Sequence, residues 1–155
     1  MTLGSGVEGS AAHRADVERK AEIVRALMEV ANGADAVVAQ VLSEFGVPSS
    51  VASTLWALAP GTEPPTMREV AARLRVDPST VSLAADKLQS TGLIARQPHP
   101  DDGRKRTLVL TEHGHELWET LRTRLHASGL FTGLDTQEQD TLLALLTKMR
   151  KPQRP

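Results

Sequence analysis

Between Thr66 and Gly92 the chain carries one apolar spacing twice. Met67, Val70, Ala71 and Leu74 fall at i, i+3, i+4 and i+7, and Val81, Ala84, Ala85 and Leu88 repeat the pattern. That spacing puts each set on one face of a helix. Thr66 and Glu69 form a T-x-x-E capping box ahead of the first run. Asp77 is a good N-cap for the second, Pro78 suits its first helical position, and Gly92 supplies its end. The pattern predicts two short amphipathic helices joined by a three-residue turn. Each buries one face and leaves the other outward.

Two apolar segments follow, LIARQ at 93–97 and RTLVL at 106–110, around a tip rich in Pro, Asp and Gly. They read as a β-hairpin with a long loop. Helix, tight turn, helix and hairpin in succession make a winged helix-turn-helix. The outward face of the second helix carries Ser79, Thr80, Ser82, Leu83, Asp86 and Lys87. Hydroxyls at a helix start suit base edges and phosphates, Leu83 suits a thymine methyl, and Lys87 suits a phosphate. Asp86 would be repelled by phosphate unless it accepts from cytosine or pairs with a basic group. At the hairpin tip, Arg104, Lys105 and Arg106 put positive charge where a wing meets a minor groove.

Charge distribution agrees. Residues 66–111 hold eight Lys or Arg and five Asp or Glu, so 8 − 5 = +3, whereas the 155-residue chain is −1 overall. The remainder therefore carries −4. A molecule of net charge −1 with a cationic lobe is suited to local, not global, attraction of a polyanion.

Around this lobe the chain is helical. From about Asp16 to Phe45, Val17, Val24, Ala31, Val38 and Phe45 recur every seven residues. The stripe predicts a helix roughly 45 Å long, weakened at Gly33, where a bend is expected. Such a helix leans on another chain or spans two lobes, the alternative being the core helix of a monomer. Gly46 and Pro48 stop it, and Ser49 or Ser50 is expected to cap a short helix bearing Val51, Leu55 and Leu58. Residues 59–65 make a proline-stiffened connector. Thr111 caps a helix with Leu117, Leu121 and Leu125 aligned. Residues 128–133 break it, and Asp135 with Glu138 caps a last helix with Leu142, Leu145, Leu146 and Met149 on its apolar face.

The expected fold class is mostly α with a small β-hairpin wing, a winged helix-turn-helix lobe plus a helical dimerisation lobe. Residues 16–150 read as a single domain. Within it, 48–111 form the winged lobe and 16–47 with 112–150 the dimerisation lobe. Residues 1–15 read as a disordered lead-in and 151–155 as a frayed tail.

No cysteine is present, which excludes disulfides, thiolate metal sites and a Cys nucleophile. The start lacks a signal-peptide layout and no run is long enough to span a membrane, so a cytoplasmic protein without membrane association is expected. His113 and His115 in HGHE are two apart and point to nearly opposite helix faces, and no second His completes a zinc-protease pattern. Asp101 and Asp102 read as turn formers. No nucleophile, base and orienter converge, so an enzyme is not expected, and neither a metal nor a cofactor.

At residues 66–111, TMREVAARLRVDPSTVSLAADKLQSTGLIARQPHPDDGRKRTLVLT, the sequence resembles the DNA-binding lobe of MarR-family transcriptional regulators. Asp102, Arg104, Leu110 and Thr111 match the family's D-x-R-x-x-x-x-x-L-T wing, and VDPSTVS resembles the start of its recognition helix. The resemblance implies that Arg104 enters the minor groove and that Asp102 orients it by pairing. It places contacts to double-stranded DNA on Ser79, Thr80, Ser82 and Lys87, with Lys105 and Arg106 beside Arg104. Many members carry a basic residue where Leu83 stands, so an Arg–guanine contact is not implied.

The chain ends hold more one-sided apolar surface than a small lobe can bury. A homodimer is therefore expected, through Val17, Val24, Leu121, Leu125, Leu130, Phe131, Leu134, Leu142 and Leu146. The resemblance further implies a small aromatic or lipophilic effector near Phe45, Leu55 and Trp56. The function expected is that of a sequence-specific regulator, a repressor by analogy, on a pseudo-palindromic operator. The alternatives are a winged-helix protein-interaction module and a nonspecific architectural DNA binder.

Overall fold

The computed structural model describes residues 5–150. Among them are six α-helices and a two-stranded antiparallel sheet. α1 runs Ser5–Glu44, and a 3-10 turn at Ser49–Val51 leads into α2 at Ala52–Trp56. α3 is Met67–Leu74 and α4 is Pro78–Ser90. The hairpin is β1, Ile94–Pro98, and β2, Arg106–Leu110, followed by α5 at Glu112–Ala127 and α6 at Thr136–Arg150. The mostly helical winged-helix class read from the sequence is the one observed. No helix of the described residues is long and apolar enough to cross a membrane.

Several expectations need correction. α1 starts at Ser5, not near Asp16, so most of the segment read as a disordered lead-in is helical. Ala11 and Ala12 are the strongest helix formers, and no proline interrupts the run. Residues 1–4 and the tail at 151–155 lie outside the described residues. Packing divides the chain into two compact units, residues 1–36 and 37–155. None of residues 11–37 is buried, whereas Val38, Val41 and Leu42 are. Neither Ser49 nor Ser50 caps a helix. The extended residue Pro48 precedes the 3-10 turn, and no side-chain hydrogen bond closes it.

The core of the second unit draws on every element from the end of α1 to α5. Leu42, Val51 and Leu55 meet Val70, Val81, Ala85 and Leu88, with Leu93, Ile94 and Leu108 from the hairpin and Leu117, Trp118 and Leu121 from α5. Leu121 is fully buried in this core. It therefore cannot line a surface shared with a second chain, contrary to its place among the interface candidates. Its i+4 partner Leu125 is half-buried. α6 buries none of its residues, and Leu143, Leu145 and Met149 are exposed.

The strands pair from Ile94 with Leu110 to Pro98 with Arg106. β1 starts one residue later than expected because the Leu93 N–H is committed to the Leu88 carbonyl at 2.9 Å, closing the end of α4. The proline-rich connector ends on the sheet. Leu108 N–H donates to the Pro65 carbonyl at 2.8 Å, and Thr66 bridges Thr107.

α5 meets the hairpin at Gly114. The Thr111 hydroxyl accepts from the Gly114 N–H at 3.1 Å and donates to the Gly92 carbonyl at 2.6 Å. A Cβ at Gly114 would lie 2.1 Å from the Leu93 carbonyl oxygen. In an unconstrained helix, Gly→Ala gains up to about 1 kcal/mol. Here Gly114→Ala is expected to lose about 3 kcal/mol through overpacking against backbone, read as a lower urea midpoint at unchanged m-value.

Candidate nucleic-acid interface

Both helices of the pair are capped as their sequences foretold. The Thr66 hydroxyl accepts from Glu69 N–H at 3.3 Å, and the Glu69 carboxylate accepts from Thr66 N–H at 2.7 Å, a complete capping box. Asp77 accepts from Ser79 N–H at 2.8 Å and from the Ser79 hydroxyl at 2.5 Å. Between the helices Arg75 takes a left-handed conformation, φ 55°, and its N–H still reaches the end of α3. A side chain in that region costs about 1 kcal/mol, so the turn is held by the packing of the helices on either side.

With Val81, Ala85 and Leu88 buried, α4 presents Ser79, Thr80, Leu83 and Lys87 as exposed residues, and Ser82 is half-buried. Leu83 is 72% exposed, more than any other large apolar side chain in the core-bearing unit. At the wing, Arg104, Lys105 and Arg106 are exposed and Asp102 is half-buried.

Asp102 does not do what the resemblance implied. Its Oδ1 accepts from the Arg104 backbone N–H at 3.1 Å, and its Oδ2 lies 3.5 Å from Lys105 Nζ. It shapes the turn that carries Arg104 and does not pair with the guanidinium. An Asp two residues before a turn amide is in reach of that N–H, which competes with any side-chain partner.

Arg96, on β1, was counted only as one of eight bases. Its Nη2 meets Asp86 Oδ1 at 2.6 Å and its Nη1 meets Gln89 Oε1 at 2.7 Å, both on α4. Asp86 thus has the basic partner its position required, and Arg96 is withdrawn from any external anion. The pair's side chains are 27% and 58% exposed. A forked guanidinium on two acceptors is a stronger tie than a simple surface ion pair. The Asp86 and Gln89 spacing, three apart on one helix face, was the available signal.

Two further residues join the wing. Arg68 and His99 line a cleft of about 530 Å3 together with Thr66, Met67, Glu69, Arg104, Lys105 and Arg106. Its one carboxylate, Glu69, is turned to the α3 cap, and His99 Nδ1 accepts from the Asp101 N–H at 3.1 Å. Four Lys or Arg against one Glu make this an anion-attracting concavity. Arg68 is an inner residue of the T-x-x-E box, whose pattern leaves that position open, so the sequence did not single it out.

Phe45, Leu55 and Trp56, where an effector was expected, differ in exposure. Leu55 is a core residue at 1% exposure and offers no surface. Phe45 is half-buried against the His113 ring at 5.1 Å, and Trp56 stands edge-on to Trp118 at 4.8 Å. Trp118 Nε1 is buried without a hydrogen-bond partner. Among the described residues no three His, Asp or Glu gather as a metal site. His113 instead pairs with Glu116 at 2.9 Å.

This geometry can be set beside known proteins. A model of the MarR family matches residues 45–105. A MarR-family transcriptional regulator from Rhodococcus sp. RHA1 has a similar structure, with TM-score 0.68, 25% identity, and 86% of this chain and 97% of that one covered. Over residues 45–105 the chain matches the MarR family, and its fold is that of the family's winged-helix structures. CouR of Rhodococcus jostii RHA1, solved bound to p-coumaroyl-CoA, is similar at TM-score 0.69 and 25% identity over 86% of this chain and 94% of that one. The uncharacterized HTH-type transcriptional regulator YkoM of Bacillus subtilis (strain 168) is 31% identical over 87 residues, 55% of this chain and 56% of that protein. The chain spans little more than half the length of the curated relatives it matches. The MarR match begins at the end of α1 and runs through the wing tip, so it contains α3, α4 and the Arg96 tie.

Two outcomes follow from this geometry. Replacing Arg96 by Lys is expected to cost about 1 kcal/mol of stability, because one ammonium cannot serve both acceptors in the same geometry. Urea denaturation of R96K and D86A, singly and together, reads it as a coupling that is absent if the tie is idle. Glu69 is held below the usual carboxylate range by the Thr66 N–H and then its hydroxyl, and Asp77 by the Ser79 hydroxyl and then its N–H. Both folded-state values are depressed, so their stabilisation is present above the ordinary carboxylate range and fades as pH falls through the depressed values. A melting temperature that declines on acidification, with a shallower decline in Thr66→Ala, checks this.

Proposed function

We propose that this protein is a sequence-specific transcriptional regulator that binds double-stranded DNA as a homodimer and acts as a repressor in the cytoplasm. One observation carries the reading. The exposed, hydroxyl-bearing start of α4 and the cationic wing belong to one packed unit, joined by Arg96. A helix with small polar residues at its start fits a major groove, and Arg104 on a projecting turn fits the neighbouring minor groove. The match of residues 45–105 to the MarR family supports the same reading.

For the dimer, the support is apolar surface. Val17, Val24 and Phe131 are exposed, and Leu125, Leu130, Leu134, Leu142 and Leu146 are half-buried. In this proposal 16–47 and 112–150 build the dimerisation lobe and 48–111 the DNA-binding lobe. A two-fold pair presents two α4 helices to half-sites about one helical turn apart. Release by a small aromatic or lipophilic effector is the regulatory part of the proposal. Trp56, exposed beside the unpartnered indole N–H of Trp118, is where this chain offers an aromatic surface. A ligand there acts only through differential affinity for the DNA-competent arrangement.

The test is binding to duplexes selected from the protein's own genomic DNA over a range of salt. A complex of two chains, confirmed by light scattering, should show log affinity falling linearly with log salt. Arg104→Ala is expected to weaken binding at least tenfold, and Arg68→Gln to reduce the salt slope by about one unit with uniform loss across sequences. Unchanged DNA binding by R104A would favour a protein-interaction module. Affinity blind to sequence would favour an architectural binder.

A further inference from the structure

We propose that Leu83 reads the C5-methyl group of a thymine in the major groove, once in each half-site; the assignment rests on the DNA-binding reading above. Leu83 lies on the outward face of α4, between Thr80 one turn before it and Lys87 one turn after it. At 72% exposed it is the most solvent-accessible large apolar side chain of its unit, on a face whose other exposed members are polar or charged. It borders a concavity of about 310 Å3 lined by Pro48, Ser50, Val51 and Ala84 together with Thr80 and Lys87. Apolar side chains, two hydroxyls and an ammonium thus surround Leu83.

Leucine has no donor or acceptor. Of the groups that base pairs display in the major groove, the thymine methyl is the bulkiest apolar one. The groups around Leu83 select duplex DNA over an apolar protein partner. Lys87 stands on the same face, and the wing of the same unit carries Arg104, Lys105 and Arg106, so the surface as a whole is built for a polyanion. Thr80 and Ser79 supply the hydrogen bonds that Leu83 cannot, and Leu83 supplies discrimination by shape and desolvation.

Duplexes enriched from a random library by the full chain provide the substrate. Each thymine of the best sequence is then replaced singly by deoxyuridine, which removes the methyl and leaves the base pair intact. For the wild-type protein, one thymine per half-site is expected to lose about fourfold in affinity on that replacement. Leu83→Ala, a change at an exposed position, is expected to bind the thymine duplex about as weakly as the wild type binds the uracil duplex, and to lose nothing further on uracil. Selection with L83A should no longer enrich thymine at that position. The assignment is overturned if every uracil duplex binds the wild type as well as its thymine parent, or if L83A and the wild type lose the same factor. If no sequence is enriched, the DNA-binding reading falls and this assignment with it.

Discussion

Burial of one face of α4 is the constraint on which the rest depends. Val81, Ala85 and Leu88 have no accessible surface, and they contact the end of α1, α3 and the hairpin through a common core. Once that face is fixed inward, the helix period alone decides which side chains stand outside. The burial of Val81 and of Leu88 each stabilises the fold by about 1.5–3 kcal/mol, well above what any single polar contact on the outer face contributes. Outer residues are therefore free to be chosen for what they meet.

The wing is related to α4 by a second device, different in kind. Arg96 reaches from β1 to two acceptors on α4. Hydrophobic packing sets distance but tolerates rotation and sliding, whereas a planar fork on two acceptors sets direction. Arg104 lies in the tip loop of the hairpin whose first strand is held in this way. Asp102 adds local definition by engaging the Arg104 amide, so the tip's backbone is ordered while its guanidinium stays available.

Much of this was legible because short-range rules speak plainly here. T-x-x-E and Asp-Pro mark helix starts through hydrogen bonds confined to three or four residues, and both formed as written. The period of the apolar residues placed Val70, Val81 and Leu88 in the core. What escaped was long-range. Leu121 shares the spacing of Leu117 and Leu125, and nothing local says that the stripe passes from core to surface along α5. Arg96 looked like one more positive charge, because its partners lie 7 and 10 residues away on another element. In HGHE the histidines drew the eye, yet the residue with a steric reason to be there is Gly114.

The anchoring of the connector on β2 has a consequence for how the molecule behaves in company. A two-stranded sheet has two open edges, and each invites pairing with another chain. The outer edge of β2 is occupied by Pro65 and Thr66, which take the Leu108 N–H and bridge Thr107. The outer edge of β1 ends in Pro98, which has no N–H to offer. The wing can therefore project as a hairpin without recruiting strands from its neighbours. The prolines that stiffen the approach to the helix pair also keep the molecules apart from one another at that sheet.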